Sequence, residues 1–131
     1  MRKTIMLFAG TTEGRKLCEY LTGKNCDTYV YVTTEYGREL LPEAGNVHIH
    51  TGRMDEADML KELEAKKPYI VIDATHPYAT QVTHNIKNVC DSKNISYVRV
   101  LREDNDKNSF PIWKAVFVGG RSGTRTLDTL I

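Results

Sequence analysis

Two short runs hold the residues whose types and spacing suit chemistry. The first is Gly10-Thr11-Thr12-Glu13-Gly14, with glycines at both ends and hydroxyls and a carboxylate between them. Where such a run opens a helix, its free backbone N–H groups and hydroxyls form an anion site, strengthened by the helix dipole. The G-x-x-x-G spacing departs from the G-x-G-x-x-G fingerprint of dinucleotide folds. A plain glycine turn with Thr12 as helix cap is the competing reading. The second run is Asp73-Ala74-Thr75-His76-Pro77-Tyr78-Ala79. It brings a carboxylate, a hydroxyl and an imidazole to the mouth of a helix that Pro77 is suited to open, with Thr75 or His76 as the cap.

Two further turns are candidates. In Thr33-Thr34-Glu35-Tyr36-Gly37-Arg38, an acidic residue would suit ribose hydroxyls and Arg38 offers a planar fork for a 2′-phosphate. Arg38 reads equally well as a solvated surface side chain. Gly52-Arg53 is a similar turn ahead of a helix. His48 and His50 have strand-face spacing and His84 falls on a helix, but no Cys or carboxylate spacing joins them, so no metal site is assigned. Cys18, Cys26 and Cys90 show no Cys-x-x-Cys spacing and read as structural thiols. Neither a G-x-S-x-G elbow nor a P-loop is present.

The elements that must position these residues alternate in type. Thr4–Ala9, Thr28–Thr33, Val47–His50, Tyr69–Asp73 and Ser96–Val100 read as strands, from their apolar, β-branched and aromatic content. Between them, Thr12–Leu21 and Asp55 to Lys66 carry helical periodicity, and a helix from Pro77 runs through Val82, Ile86, Val89 and Cys90 to a stop at Asn94. Such alternation implies an α/β fold: a Rossmann-like parallel sheet of about five strands with helices on both faces. In that fold ligands bind beyond the carboxyl ends of the strands, which is where both runs fall. The pattern ends near Leu101. Arg102 to Ser109 reads as a linker, Phe110 to Val118 as a possible strand, and GGRSGTRTLDTLI has no periodicity. The expected division is a dinucleotide-binding domain over 1–103, then a linker and tail over 104–131.

The totals exclude some partners. The 131 residues carry 18 Lys and Arg against 17 Asp and Glu, for a net charge of +1. That balance gives no electrostatic reason to expect nucleic acid or an anionic membrane surface. The apolar run Ile5–Ala9 behind the basic start is too short for a signal peptide or a membrane span, so a cytoplasmic protein is expected.

Taken together, LFAGTTEGRKLCEYL, the TTEYGR turn, TGRMDEADML and VIDATHPYATQVTHNI resemble the precorrin-6A reductase family of cobalamin biosynthesis, over about Thr4 to Arg102. The anaerobic branch of that family acts on the cobalt-containing substrate. The resemblance implies hydride transfer from NADPH or NADH to a carbon–carbon double bond of a tetrapyrrole. By motif, Gly10, Thr11, Thr12 and Glu13 would hold the cofactor's phosphates, and Thr34 and Arg38 would face its adenosine half. Arg53, Thr75, His76 and Tyr78 would border the nicotinamide and substrate cleft, with His76 the candidate proton donor.

Members of this family are longer and have two similar α/β halves, with cofactor and macrocycle between them. The expectation here is a single half, its second lobe missing through truncation or a shifted reading frame. Such a chain should bind cofactor without turning over substrate by itself, and its open sheet edge invites self-association. Two other readings stand beside this one: a nucleotide-binding regulatory or sensing domain without catalysis, and an interaction module with an incidental glycine turn.

Overall fold

The computed structural model describes residues 2–76, 78–103, 112–119 and 124–125, with side chains as far as Val100. The strand β1 (Lys3–Phe8) lies in the interior of the sheet. Its alternate residues point to opposite faces, and both faces are covered. Ile5 and Leu7 join Leu17, Cys18 and Leu21 of helix α1 (Thr12–Leu21) in one core cluster. Met6 and Phe8 join a second cluster with Met59 and Leu63 of α3 (Glu56–Lys66) and Ile86, Val89 and Cys90 of α4 (Thr80–Lys93). A strand buried on both faces must be apolar throughout, which is why β1 reads as a continuous run rather than an alternation. Leu17 is fully buried, and truncating such a leucine to alanine costs about 2–5 kcal/mol.

The remaining strands are β2 (Cys26–Val32), β3 (Val47–Thr51), β4 (Ile70–Asp73), β5 (Tyr97–Glu103), β6 (Ile112–Gly119) and β7 (Thr124–Arg125). Their order is β3-β2-β1-β4-β5-β6-β7. The first five in that order are mutually parallel, so the expected α/β architecture is present. The chain leaves β1 toward β2 by α1 and later returns to β1's other side with β4. The strand order therefore reverses between β1 and β4, and the loops beyond their carboxyl ends open a crevice there.

Several local expectations are corrected. The cap of α1 is Thr11, not Thr12: its backbone is extended and its hydroxyl accepts from the Gly14 amide. The fourth helix begins at Thr80, behind Ala79, and has no side-chain cap. The amides of Tyr78 and Ala79 donate instead to His76, at its Nδ1 (3.2 Å) and its carbonyl (2.9 Å), so a turn uses up the residues expected to open the helix. Pro77 lies outside the described residues. A short helix α2 (Glu35–Glu39), capped by Thr34, fills what read as a simple turn. The sheet also continues past five strands: β6 and β7 add antiparallel to β5, and β7 lies within the tail that showed no periodicity. Residues 104–111 are fewer than the dozen or so that a parallel crossover needs, so only an antiparallel return is open to β6. Of the expected linker, Arg102 and Glu103 belong to β5, and its remaining residues lie outside the described ones.

Candidate functional site

The β1–α1 turn is shaped by two glycines with different duties. Gly10 has φ +136°, a conformation that disfavours any side chain, and a Cβ there would meet nothing within 4 Å. The open space beside Gly10 is part of the crevice. At Gly14 a Cβ would come within 2.9 Å of the Ala9 Cβ, so the absence of a side chain lets α1 press against the end of β1. Thr11 ties this turn to its neighbour: its hydroxyl accepts from the Gly14 amide (3.1 Å) and donates to the Ala74 carbonyl beyond β4 (2.6 Å). With that proton committed, Thr11 can offer an anion its backbone, while Thr12 is the exposed hydroxyl of the pair.

Two cavities meet over this turn. The larger, about 560 Å³, is lined by Gly10, Thr11, Thr12, Glu13, Arg15, Thr33 and Thr34, with residues of α2 and His76. The smaller, about 180 Å³, lies toward α3 and α4 and is largely apolar, with Phe8, Tyr31, Met54, Met59 and Val82 among its walls and Thr75 and His76 at its edge. Phe8 and Tyr31 stack with ring centroids 4.9 Å apart, and the Tyr31 hydroxyl donates to Glu62 (2.9 Å). Burial and the Glu62 carboxylate raise the Tyr31 pKa far above that of an ordinary phenol, so its proton stays on. Ala9, Gly10, Val32, Thr33 and His76 border both cavities, which makes them one crevice along the strand ends.

Beyond β4, Asp73 is buried and fully engaged. Its Oδ1 accepts from the Thr75 amide (3.0 Å), the Thr75 hydroxyl (2.6 Å) and Arg99 Nη1 (2.9 Å), and its Oδ2 from the Thr83 hydroxyl (2.7 Å). This carboxylate is therefore a scaffold for the Thr75–His76 turn rather than a free base. His76 is exposed, and its Nδ1 accepts from Tyr78, which leaves the ring proton on Nε2 as a donor. The Tyr78 ring lies 5.1 Å from the imidazole and is 87% exposed.

Of the residues singled out from sequence, Gly10, Thr11, Thr12, Glu13, Thr34, Thr75 and His76 thus gather around the crevice. Arg38, Arg53 and Tyr78 line neither cavity. Arg38 reaches Thr51 at the end of β3 (3.5 Å), and Arg53 is exposed beside Gly52, which has φ +133°. Arg15 and Arg99 were not singled out. Arg15 flanks the buried stripe of α1, one turn before Cys18, and that position was the available signal. Arg99 betrays itself as a charge within an apolar strand, which requires a buried partner. Among the described residues no group of three or more His, Cys, Asp or Glu side chains could hold a metal ion, and no helix is long and apolar enough to cross a membrane.

Comparison with known proteins agrees with this fold. The solved structure of the CobK precorrin-6A reductase superposes with a TM-score of 0.66 at 22% identity, covering 82% of this chain and 42% of that one. A Bordetella bronchiseptica enzyme, WbmG, solved with NAD and UDP, superposes with a TM-score of 0.61 at 17% identity, covering 76% of this chain and 37% of its own. At these identities the likeness is one of fold. In sequence, the cobalt-precorrin-6A reductase of Methanothermobacter thermautotrophicus is 34% identical over 105 residues, 79% of this chain and 34% of the relative. That of Salmonella typhimurium is 30% identical over 106 residues, again 79% of this chain and 39% of the relative. The chain thus spans between a third and two-fifths of the length of these two relatives. The family model of the precorrin-6x reductases CbiJ/CobK matches residues 4–117, most of the chain, so this protein belongs to the precorrin-6x reductase family.

Proposed function

We propose that this chain forms the dinucleotide-binding region of an NAD(P)H-dependent reductase acting on a double bond of precorrin-6A or its cobalt complex, in cobalamin biosynthesis. The observation that carries the reading is the crevice at the β1–β4 reversal, with a glycine-hinged helix start on one side and the Thr75–His76 turn on the other. The residues fit a dinucleotide. The space a Cβ would take at Gly10 is open, and Arg15, whose buried Nε has no hydrogen-bond partner, lines the same crevice. Gly10, Thr11, Thr12 and Glu13 would take the pyrophosphate, Thr33 and Thr34 the ribose, and the recess over Phe8 and Tyr31 a flat base.

A bound nicotinamide supplies the hydride. The chain's own residues bind and orient. One carbon of the double bond would receive the hydride and its neighbour a proton, and our candidate donor is His76 as the imidazolium, a form that releases the Tyr78 amide from Nδ1. Arg38, Arg53 and Tyr78, outside the two cavities, remain candidates for contacts at the rim.

The test is a titration of NADH and NADPH fluorescence with the 131-residue chain, followed by an assay for substrate-dependent oxidation. Saturable binding of either dinucleotide is the expected result, and absence of both would overturn the reading. Binding without oxidation, for this chain and for the same chain within a longer protein, would favour a nucleotide sensor.

A further inference from the structure

Among the described residues lining the two cavities, Arg15 alone carries a permanent positive charge. Its Nε is buried and has no hydrogen-bond partner, although 40% of the side chain is exposed. The Glu19 carboxylate one turn on lies 3.9 Å from that nitrogen, too far for a hydrogen bond. A desolvated N–H donor without an acceptor is costly in a folded protein, and such groups point to a missing partner. The hydroxyl-bearing Thr33 and Thr34, beyond the end of β2, and Glu13 line the same cavity. A carboxylate already lining the site makes a positive group more necessary if an anion is to enter.

We propose that Arg15 is the phosphate-binding cation of the site. It would close a fork on a phosphate of the nucleotide that the Gly10–Gly14 turn receives at its other side. The assignment rests on the dinucleotide reading above and adds to it the group that neutralises the ligand's charge. Geometry favours Arg15 over Arg38 for this task. The first lines the cavity and has a donor without a partner, whereas the second is turned toward Thr51 outside it. A guanidinium suits the role because its planar set of donors matches two phosphate oxygens at once.

The phosphate could be the pyrophosphate common to both dinucleotides or the 2′-phosphate of NADPH, and one experiment separates them. Arg15→Gln, Arg15→Lys and Arg38→Ala would be titrated with NADPH and with NADH, beside the unaltered chain, with Tm recorded for each. The loss expected for Arg15→Gln is roughly ten- to a hundred-fold in affinity, the worth of a charge-assisted hydrogen bond. Its Tm should not fall, because the exposed pair with Glu19 contributes little to stability and the unmet donor contributes none. Arg15→Lys should recover part of the affinity. Equal losses for both cofactors place the contact at the pyrophosphate; a loss confined to NADPH places it at the 2′-phosphate. Unchanged binding of both in Arg15→Gln, or a loss found only in Arg38→Ala, would overturn the assignment and leave the dinucleotide site standing. Failure of the unaltered chain to bind either cofactor would instead remove the reading on which it rests.

Discussion

Asp73 and Arg99 are register partners on the adjacent parallel strands β4 and β5, and their side chains close a 2.9 Å ion pair with 1% and 13% of each exposed. The same guanidinium nitrogen reaches the Thr75 hydroxyl at 3.2 Å. An acid at the end of one strand and a base on the next thus fix the loop that carries His76 to the crevice. Charge buried at this depth survives only when every oxygen has a donor, and Asp73 receives one from Thr75, Thr83 and Arg99.

Arg99→Met should therefore destabilise the fold by about 3–5 kcal/mol, since it strands a buried carboxylate. Adding Asp73→Asn should recover part of that loss, because the neutral amide no longer needs a cation. Urea unfolding of the single and double variants measures both. A cost below about 1 kcal/mol for Arg99→Met would show that water replaces the arginine.

The two glycines of the β1–α1 turn should separate binding from stability. Gly14→Ala puts a methyl 2.9 Å from the Ala9 Cβ, and overpacking of this kind costs about 1–3 kcal/mol. Gly10→Val meets nothing in the protein, so its penalty is the backbone strain of φ +136°, about 1–3 kcal/mol. Its side chain would nonetheless occupy the space offered to the ligand. Circular dichroism of Gly10→Val should stay native while dinucleotide fluorescence shows binding lost. A folded Gly10→Val variant with unaltered affinity would move the phosphate site elsewhere.

The buried thiols give a pH dependence of definite sign. Burial, with help from the Glu19 charge, raises Cys18 from 9.0 to about 11; burial, with Asp91 and Asp73, raises Cys90 to about 12. Below pH 9 both thiols keep their protons whether the chain is folded or not. Above it the unfolded chain releases protons that the folded one retains, so stability falls as pH rises from 9 toward those values. At pH 8 a thiol reagent should react slowly with Cys18 and Cys90 until urea exposes them. Prompt labelling of either in the native protein would contradict the burial.

The apolar strand runs and the Asn94 stop were legible because they depend on local periodicity and on one residue that tolerates the left-handed backbone. The gathering of the Gly10 and Thr75–His76 turns was legible too, since a parallel order forces both to the same end of the sheet. What escaped was set by tertiary contact. His76 takes two amides that a helix start would have used, so α4 begins three residues past Pro77. Arg99 owes its importance to Asp73 and Thr75, which it meets across the fold; a charge within an apolar strand signals that a partner is needed, and not which one. Asp73 looked like a site carboxylate because its partners, Thr83 and Arg99, are distant in sequence.

Thr11 offers the last test, because one hydroxyl serves both sides of the crevice. It caps α1 through the Gly14 amide and donates its proton to the Ala74 carbonyl, joining the turn beyond β1 to the turn beyond β4. Thr11→Ser keeps both bonds and should leave stability and dinucleotide affinity close to those of the parent. Thr11→Val keeps the shape but removes the oxygen. The lost cap costs about 0.5–2 kcal/mol, and the Ala74 carbonyl is left without this donor. If the bridge also sets the width of the crevice, Thr11→Val should weaken dinucleotide binding by more than the lost cap alone explains. The control is a cap removed elsewhere: Asp55→Ala, at the start of α3, should cost similar stability and leave binding unchanged. Equal binding by Thr11→Val and the parent, with stability lowered, would confine Thr11 to the fold and leave Thr12 and the turn's backbone as the ligand's contacts.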